Sequence, residues 1–437
     1  MTKYVSKYSD CIKRLNSLQS NANVVAALKL SRDQMNKKSI PEMQSLLSRI
    51  GYSKDNLDGL NAIHISGTKG KGSTSAFIES ILRHKGLRTG MFTSPHLIFV
   101  RERIRIQGLP IDENLFTRYF EEIWNKLQFT NEAGFPQMPS YFRFLTILAF
   151  HIFLQEQVDV SVIEVGIGGT YDSTNVLERP IVCGITSLGY DHQNILGNTI
   201  SDIAKHKAGI IKKNIPTFTV PQPENSLDII REKASAEYSE LTVCEEVPLG
   251  IELGIKGDHQ RLNAGLAVEI SKSFLSNRFK ENISSPLKEK FVINGLSATS
   301  WPGRSQIVET TKCKYYLDGA HTVESIQKCI NWVNPCTPHS LIFYYSGERD
   351  YARLLEPIIK YAKEVSNFEK IVFSSPKIKD LTFHDCDNLS LDDSAVVSKL
   401  ETLKAYWNTR LPNSNVFVTD SVEEALNLAD KTCFSHN

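Results

Sequence analysis

The chain is 437 residues long, well beyond the roughly 100–200 residues of a usual domain, so two domains are expected. Hydrophobic residues make up 41% of it and charged residues 23%, which argues against a disordered, collagenous or disulfide-scaffold protein. Fifty Lys and Arg against forty-nine Asp and Glu leave a formal net charge of +1; no nucleic-acid coating is expected, and only a local basic pocket for an anion fits this balance.

At the N-terminus Val5, Tyr8, Ile12 and Leu15 recur at helical spacing and predict a docked first helix. The same segment is basic and amphipathic, so a mitochondrial address stands as a second expectation beside a cytoplasmic one. The eight cysteines include no CxxC pair, which fits free thiols in a reducing, intracellular compartment. The longest apolar stretch, 142–154, is broken by Arg143 and His151 and is shorter than the ~20 residues of a bilayer span, so no integral membrane segment is expected.

From residue 62 short β-branched runs alternate with longer amphipathic segments, the pattern of βαβ units and a largely parallel sheet. The predicted strands are 62–66, 88–93, 158–165, 180–187 and 216–220, and the predicted helices 73–85, 112–127, 141–155 and 200–211, with Gly86 closing the first. A stretch of lower periodicity follows. The Pro-Gly turn at Trp301, Pro302, Gly303 and Arg304 then marks the expected boundary, giving domains 1–300 and 301–437. In the second block the expected strands are 314–317, 340–345, 370–375 and 415–418, the helices 323–333, 351–365, 394–407 and 422–429, and a polar, acidic surface loop spans 380–393.

The segment AIHISGTKGKGSTSAF places Gly67, Gly70 and Gly72 with Lys69 and Lys71 between a strand and the start of a helix. Free N–H groups and the helix dipole at such a turn hold phosphate oxygens, and the alternative is an ordinary glycine-rich turn. Gly72 separates Lys71 from Ser73, so the pattern is not a strict GxxxxGK[ST]. The fold class that follows is α/β: a large N-terminal P-loop-type mononucleotide-binding domain with a mainly parallel sheet, plus a smaller C-terminal α/β Rossmann-like domain.

Glu164 stands near the carboxyl end of an apolar strand and before a glycine loop, in VSVIEVGIGGTYDSTN. Open α/β sheets bind ligands at that edge, and a carboxylate there suits Mg²⁺ bridging protein and phosphate, although a strand-end Glu is often simply solvated. Ser94 in FTSPHL and Asp191–His192 in SLGYDHQ are further polar strand ends. Lys207 has Lys205, His206 and Lys212 as near neighbours in sequence; their repulsion would lower its pKa, while charge pattern alone reads as a solvated basic helix face.

With GTKGKGST, SPHL, VRERIRI, YFRFLT, EVGIGGTYDSTN, LGYDH, KAGIIK, WPGR and DGAH in this order, the chain resembles the folylpolyglutamate synthase family of Mur-ligase-like ATP-dependent amide ligases. The resemblance covers about residues 8–350, and LNSLQSN and GTKGKGST are similar to its eukaryotic branch. It implies that ATP phosphorylates the terminal carboxylate of a reduced folate and that the amine of L-glutamate displaces the phosphate. ATP and Mg²⁺ are the implied cofactors, with a monovalent cation as an addition, and reduced folate and L-glutamate the implied partners. No apolar face demands a protein partner, so a monomer is expected.

Carried over by position, the nucleotide loop falls on Gly70, Lys71, Gly72 and Ser73, and the magnesium ligands on Ser94, Glu164 and His192. Lys207 matches the family's carbamylated lysine. Asn263, Arg304 and Asp318 match nucleotide contacts, and His321 a residue near the acyl phosphate. Because Arg304 and Asp318 lie beyond the expected boundary, the resemblance implies a nucleotide between the domains, with closure gating catalysis. Pro95, His96, Tyr141 and Phe142 correspond to the folate-lining region, with ordinary core packing as the alternative for the two aromatics.

Two departures bear on the second domain. The family's terminal VTGSLxLVG-like stretch does not follow FVTDSVEEALNLADKTCFSHN, which predicts a sheet without its last strand, and YYSGERD differs from the usual loop before Arg349 and Asp350. Dihydrofolate synthase, or an inactive paralogue that still binds folate and ATP, are the competing readings.

Overall fold

The computed structural model describes residues 7–19, 32–223, 225–311, 313–333, 339–345, 349–365, 368–378 and 393–430. Most of the expected loop at 380–393, part of LNSLQSN, residues 346–348 of YYSGERD and the tail 431–437 lie outside them. Two compact units are present: Met1–Gly254 with Gln260–Ser300, and Ile255–His259 with Trp301–Asn437.

The first unit is built on one eight-stranded sheet: β1 (Ala62–Ser66), β2 (Thr89–Phe92), β3 (Ile104–Ile106), β4 (Leu109–Pro110), β5 (Val160–Glu164), β6 (Val182–Ile185), β7 (Thr217–Thr219) and β8 (Leu241–Val243). Their order is β4-β3-β2-β5-β1-β6-β7-β8. Strands β2, β5, β1, β6, β7 and β8 are parallel, and β3 and β4 add an antiparallel edge. The central strands β1, β5 and β6 are buried along their whole length, as strands in a sheet covered on both faces must be. Since β1 lies between β5 and β6, the turns after β1, β5 and β6 leave the same, carboxyl, edge side by side, where open α/β sheets bind ligands.

Local chemistry sets the helix ends. Asp112 caps helix Glu113–Phe129 by accepting the Asn114 and Leu115 N–H groups, and Thr199 with Asp202 forms a reciprocal cap that starts helix Ile200–Ala208. Gly86, at φ +97°, follows helix Lys71–His84, and its N–H and that of Leu87 close the last turn on Arg83 and Leu82. Helix Tyr141–Gln155 has the predicted bounds, and the first helix, Tyr8–Ser17, buries Tyr8, Cys11, Ile12 and Leu15.

Three features differ from expectation. The edge pair β3–β4 went unpredicted because VRERIRIQGLP interleaves charges with its apolar residues. The stretch read as weakly periodic holds helices Ser226–Ala236, His259–Phe279 and Lys290–Ala298. The longest of these buries Gln260, Asn263, Gly265 and Ser271 along with its apolar residues, so no single stripe marks it. Strand β10 (Lys314–Leu317) pairs antiparallel with β9 (Gln306–Glu309), apart from the parallel sheet of its unit.

That sheet, in the second unit, has order β11-β12-β13, from β11 (His339–Phe343), β12 (Phe368–Ser374) and β13 (Val416–Thr419). Helices Val323–Trp332, Tyr351–Glu364, Asp393–Arg410 and Val422–Asp430 alternate with these strands. Its core is Leu355, Ile371, Phe373, Leu400, Leu403 and Trp407, each without exposed surface.

Candidate active site

Strand β1 runs into a turn whose backbone only glycine tolerates. Gly67 lies at φ +140°, and a Cβ there would meet Thr186 Oγ1 at 1.8 Å; Gly70 lies at φ +91°, and a Cβ there would meet Asn263 Oδ1 at 2.3 Å. The Thr68 and Lys69 N–H groups both donate to the Ser187 carbonyl at 3.0 Å, tying the turn to the loop after β6. Helix Lys71–His84 then begins with no side chain capping it, so its first N–H groups remain for an anion.

Charged groups surround this turn. Glu164, the last residue of β5, is 4% exposed. Its Oε2 accepts the Ser94 N–H at 2.9 Å and its Oε1 lies 3.9 Å from Lys71 Nζ. Lys69 Nζ pairs with Asp191 Oδ2 at 3.3 Å, and the same Asp191 accepts the His192 N–H at 3.0 Å. Burial, with Lys207, Lys71 and Lys69, holds His192 below the usual imidazole range against the opposing pull of Asp191.

Lys207 is not on a solvated face: it is 4% exposed, and its Nζ donates to the Gly67 carbonyl at 2.7 Å. Its pKa is held well below that of a free lysine, first by burial and then by Lys71. The repulsion expected from its sequence neighbours is therefore not the cause; the sheet edge is.

The glycine loop after β5 holds the helix that carries Lys207. Thr170 N–H and Oγ1 both donate to the His206 carbonyl, and Asn175 Nδ2 donates to the carbonyls of Thr170 and Gly209. Beneath the loop, buried Asp172 accepts the Ile167 N–H at 3.0 Å and the Thr174 hydroxyl at 2.6 Å. The Thr174 proton is thereby spent, so His64 Nε2, 2.8 Å away, is the donor to Thr174 Oγ1. Burial, and then Lys212, lowers the His64 pKa to about 3. Sequence reading passed over His64, Asp172 and Thr174; a histidine in the middle of an otherwise apolar strand is the signal that could have found the first.

Beside Ser94, Phe142 is 5.8 Å from the Phe92 ring, and its ring stands where a Cβ on Gly166 would be, so it packs under the loop. Tyr141 opens helix Tyr141–Gln155 with the Arg103 guanidinium 5.7 Å above its ring. Arg103 Nε donates to His96 Nδ1 at 2.9 Å, next to Pro95. Asn263 donates to Gln260 Oε1 at 2.9 Å as well as facing Gly70.

Within the first unit the structure thus gathers Gly70, Lys71, Gly72 and Ser73 with Ser94, Glu164, Lys207 and Asn263, and sets His192 on the neighbouring loop. The remaining candidates belong to the second unit. There Asp318 accepts the Ser305 N–H at 2.7 Å, Arg304 Nη1 donates to the Gly303 carbonyl at 3.0 Å, and His321 Nδ1 lies 3.0 Å from the Gly319 carbonyl.

Among the described residues no three His, Cys, Asp or Glu side chains cluster as a metal cage. Magnesium usually takes one or two protein oxygens and fills its sphere with water and phosphate, and the Glu164 carboxylate beside Ser94 fits that donor set. His192 supplies a nitrogen, outside the oxygen ligands magnesium ordinarily takes.

A central parallel sheet, a glycine turn at its carboxyl edge and a helix start beside lysines define a P-loop-type α/β protein. A comparison with models of known protein families matches none of them. Folylpolyglutamate synthase of Saccharomyces cerevisiae is 40% identical over 454 residues, 97% of this chain and 82% of the yeast protein, and the chain belongs to the folylpolyglutamate synthase family. The human protein named folylpolyglutamate synthase, mitochondrial, is 41% identical over 384 residues, 80% of this chain; the match spans 65% of the human protein, just under two thirds. Among solved structures, the Mycobacterium tuberculosis folylpolyglutamate synthase complexed with ADP and AMPPCP superposes with TM-score 0.73 at 23% identity, covering 93% of this chain and 92% of that one. An FPGS–AMPPCP–folate complex superposes with TM-score 0.67 at 25% identity, covering 98% and 100%.

Proposed function

We propose that the chain is a folylpolyglutamate synthase, adding L-glutamate by amide linkage to the γ-carboxyl of tetrahydrofolate mono- and polyglutamates at the expense of ATP. The observation that carries this reading is the convergence of Lys71 and Lys207 on the Gly67–Gly70 turn beside Glu164, in a family whose solved relatives hold AMPPCP and folate.

In the first step a carboxylate oxygen of the acceptor attacks the γ-phosphorus and ADP leaves. In the second, the glutamate amine attacks the acyl carbon, phosphate departs and the amine loses its proton. Negative charge develops on the transferred group, and the first-turn N–H groups with Lys71 face it. Glu164 and Ser94 would hold magnesium through oxygen, with His192 as the nitrogen ligand that the family resemblance adds, and magnesium when bound would offset phosphate charge. Burial draws the Lys207 pKa down toward the neutral amine, the form that adds carbon dioxide, and a carbamate there would present an anion to the same site. Asn263, Arg304 and Asp318 serve the nucleotide, His321 the acyl phosphate, and Pro95, His96, Tyr141 and Phe142 the folate. No described helix is long and apolar enough to cross a membrane. A cytoplasmic pool, with a mitochondrial one as in the mammalian relatives, completes the proposal.

The test is ATP- and Mg²⁺-dependent incorporation of labelled glutamate by the purified chain, with tetrahydrofolate monoglutamate and dihydropteroate offered separately. Extension of the first by more than one residue supports the reading. Incorporation into the second alone makes the chain a dihydrofolate synthase, and none into either, from folded protein that binds ATP, makes it an inactive paralogue.

A further inference from the structure

Arg103 ends the turn Val100–Arg103 and leads into β3. Its carbonyl accepts the Thr93 N–H at 2.9 Å, so its backbone is fixed to the residue before Ser94, whose own N–H rests on Glu164. The side chain is half-buried. Its Nε–H is spent on His96 Nδ1, and its plane stands over the Tyr141 ring. The two terminal nitrogens make no hydrogen bond to any of the described residues.

The carboxylates acting on Arg103 are Glu164 and Glu102, and both have other partners. Glu102 accepts the N–H groups of Leu97, Ile98 and Phe99, and Glu164 accepts Ser94 and faces Lys71. The lysines nearby are committed too: Lys69 to Asp191, Lys207 to Gly67 and Lys71 to Glu164. A partly desolvated guanidinium with open donors is costly unless an anion completes it, and its planar fork matches a carboxylate through two parallel hydrogen bonds.

We propose that Arg103 receives the terminal carboxylate of the acceptor substrate, with His96 setting the roll of the fork and Tyr141 its tilt. This rests on the ligase reading above and names the residue that brings the reacting carboxylate to the phosphate turn. Two anions, Glu164 and the acceptor carboxylate, must lie near each other for phosphorylation, and a fixed cation between β2 and the aromatic wall offsets their repulsion. In the contact to His96 the Nδ1 is the acceptor.

The test uses the full chain and two probes, tetrahydrofolate monoglutamate and its analogue with the γ-carboxylate replaced by a carboxamide. Binding of each is measured by calorimetry without ATP, and turnover of the first is measured with all substrates. Wild type should prefer carboxylate over carboxamide by about ten- to a hundredfold, the worth of a hydrogen bond to a charged group. Arg103→Ala should abolish that preference and raise the acceptor KM by a similar factor, with the KM for ATP unchanged. Arg103→Lys should recover only part, since an ammonium cannot fork. An Arg103→Ala chain that keeps the full preference, or that shifts the KM for ATP equally, overturns the proposal and leaves the ligase reading standing. A folded wild type that binds neither probe and incorporates no glutamate overturns both.

Discussion

Lys207 Nζ and the Gly67 carbonyl meet at 2.7 Å, joining the last turn of a helix to the first residue of the phosphate turn across 140 positions of chain. A buried amine donating to a backbone oxygen holds the turn in place, and no side chain caps the helix that follows it.

The first prediction concerns this amine. Folded Lys207 has a depressed pKa, so below the unfolded lysine value of about 10.4 the unfolded chain holds more of the proton than the folded one. Stability therefore rises with pH toward that value and is lost as pH falls through the folded pKa. Lys207→Met should flatten this rise, seen as a smaller gain in urea midpoint between pH 7 and pH 9.5, and should also abolish glutamate incorporation.

Lys71→Ala removes the cation 3.9 Å from Glu164 but leaves the Ser94 N–H on that carboxylate. Incorporation of glutamate should fall by about 10²–10³, the usual cost of one charge-stabilising donor. Loss of the ion pair should cost about 1 kcal/mol, read as a melting temperature lower by roughly 2–4 °C. Full turnover in this variant would remove the phosphate-turn argument.

Gly70→Ala meets two obstacles, the positive φ and the Asn263 amide. A loss of about 1–3 kcal/mol in urea unfolding is expected. Adding Asn263→Ala should recover the steric part and leave the backbone part, so the double-mutant cycle should show a favourable coupling.

The His64–Thr174–Asp172 chain is tested by Thr174→Val, which leaves a buried carboxylate and an imidazole each short of a partner and should cost about 1–3 kcal/mol, while Thr174→Ser should not. His64 adds a pH dependence. Its folded pKa, about 3, lies below the unfolded value of about 6.5, so only the unfolded chain takes up the proton between them and stability falls as pH drops through that window. His64→Asn should flatten the loss of urea midpoint between pH 7 and pH 4.5.

Where a segment's own pattern decided its state, the sequence was legible. Residues 62–66 and 141–155 adopted the strand and helix expected of them to the residue. Helix His259–Phe279 was not legible, because small and polar residues are buried around much of its circumference and only its neighbours reveal that. The lysine and glycine spacing of the phosphate turn was visible in the string; the commitment of Lys207 to Gly67, and the open fork of Arg103 among charged residues of VRERIRI, were not.

The sequence by itself determined the alternation of strands and helices, the glycine turn and the family, since each depends on residues near one another in the chain or on their order. Tertiary structure alone decided which charges are buried. Lys205 and Lys207 differ by two positions, yet one is exposed and the other 4% exposed, because the helix turns only the second toward the sheet edge. Desolvation is a property of the surrounding packing, and it is the main cause that draws down the pKa of that amine and of the Arg103 guanidinium.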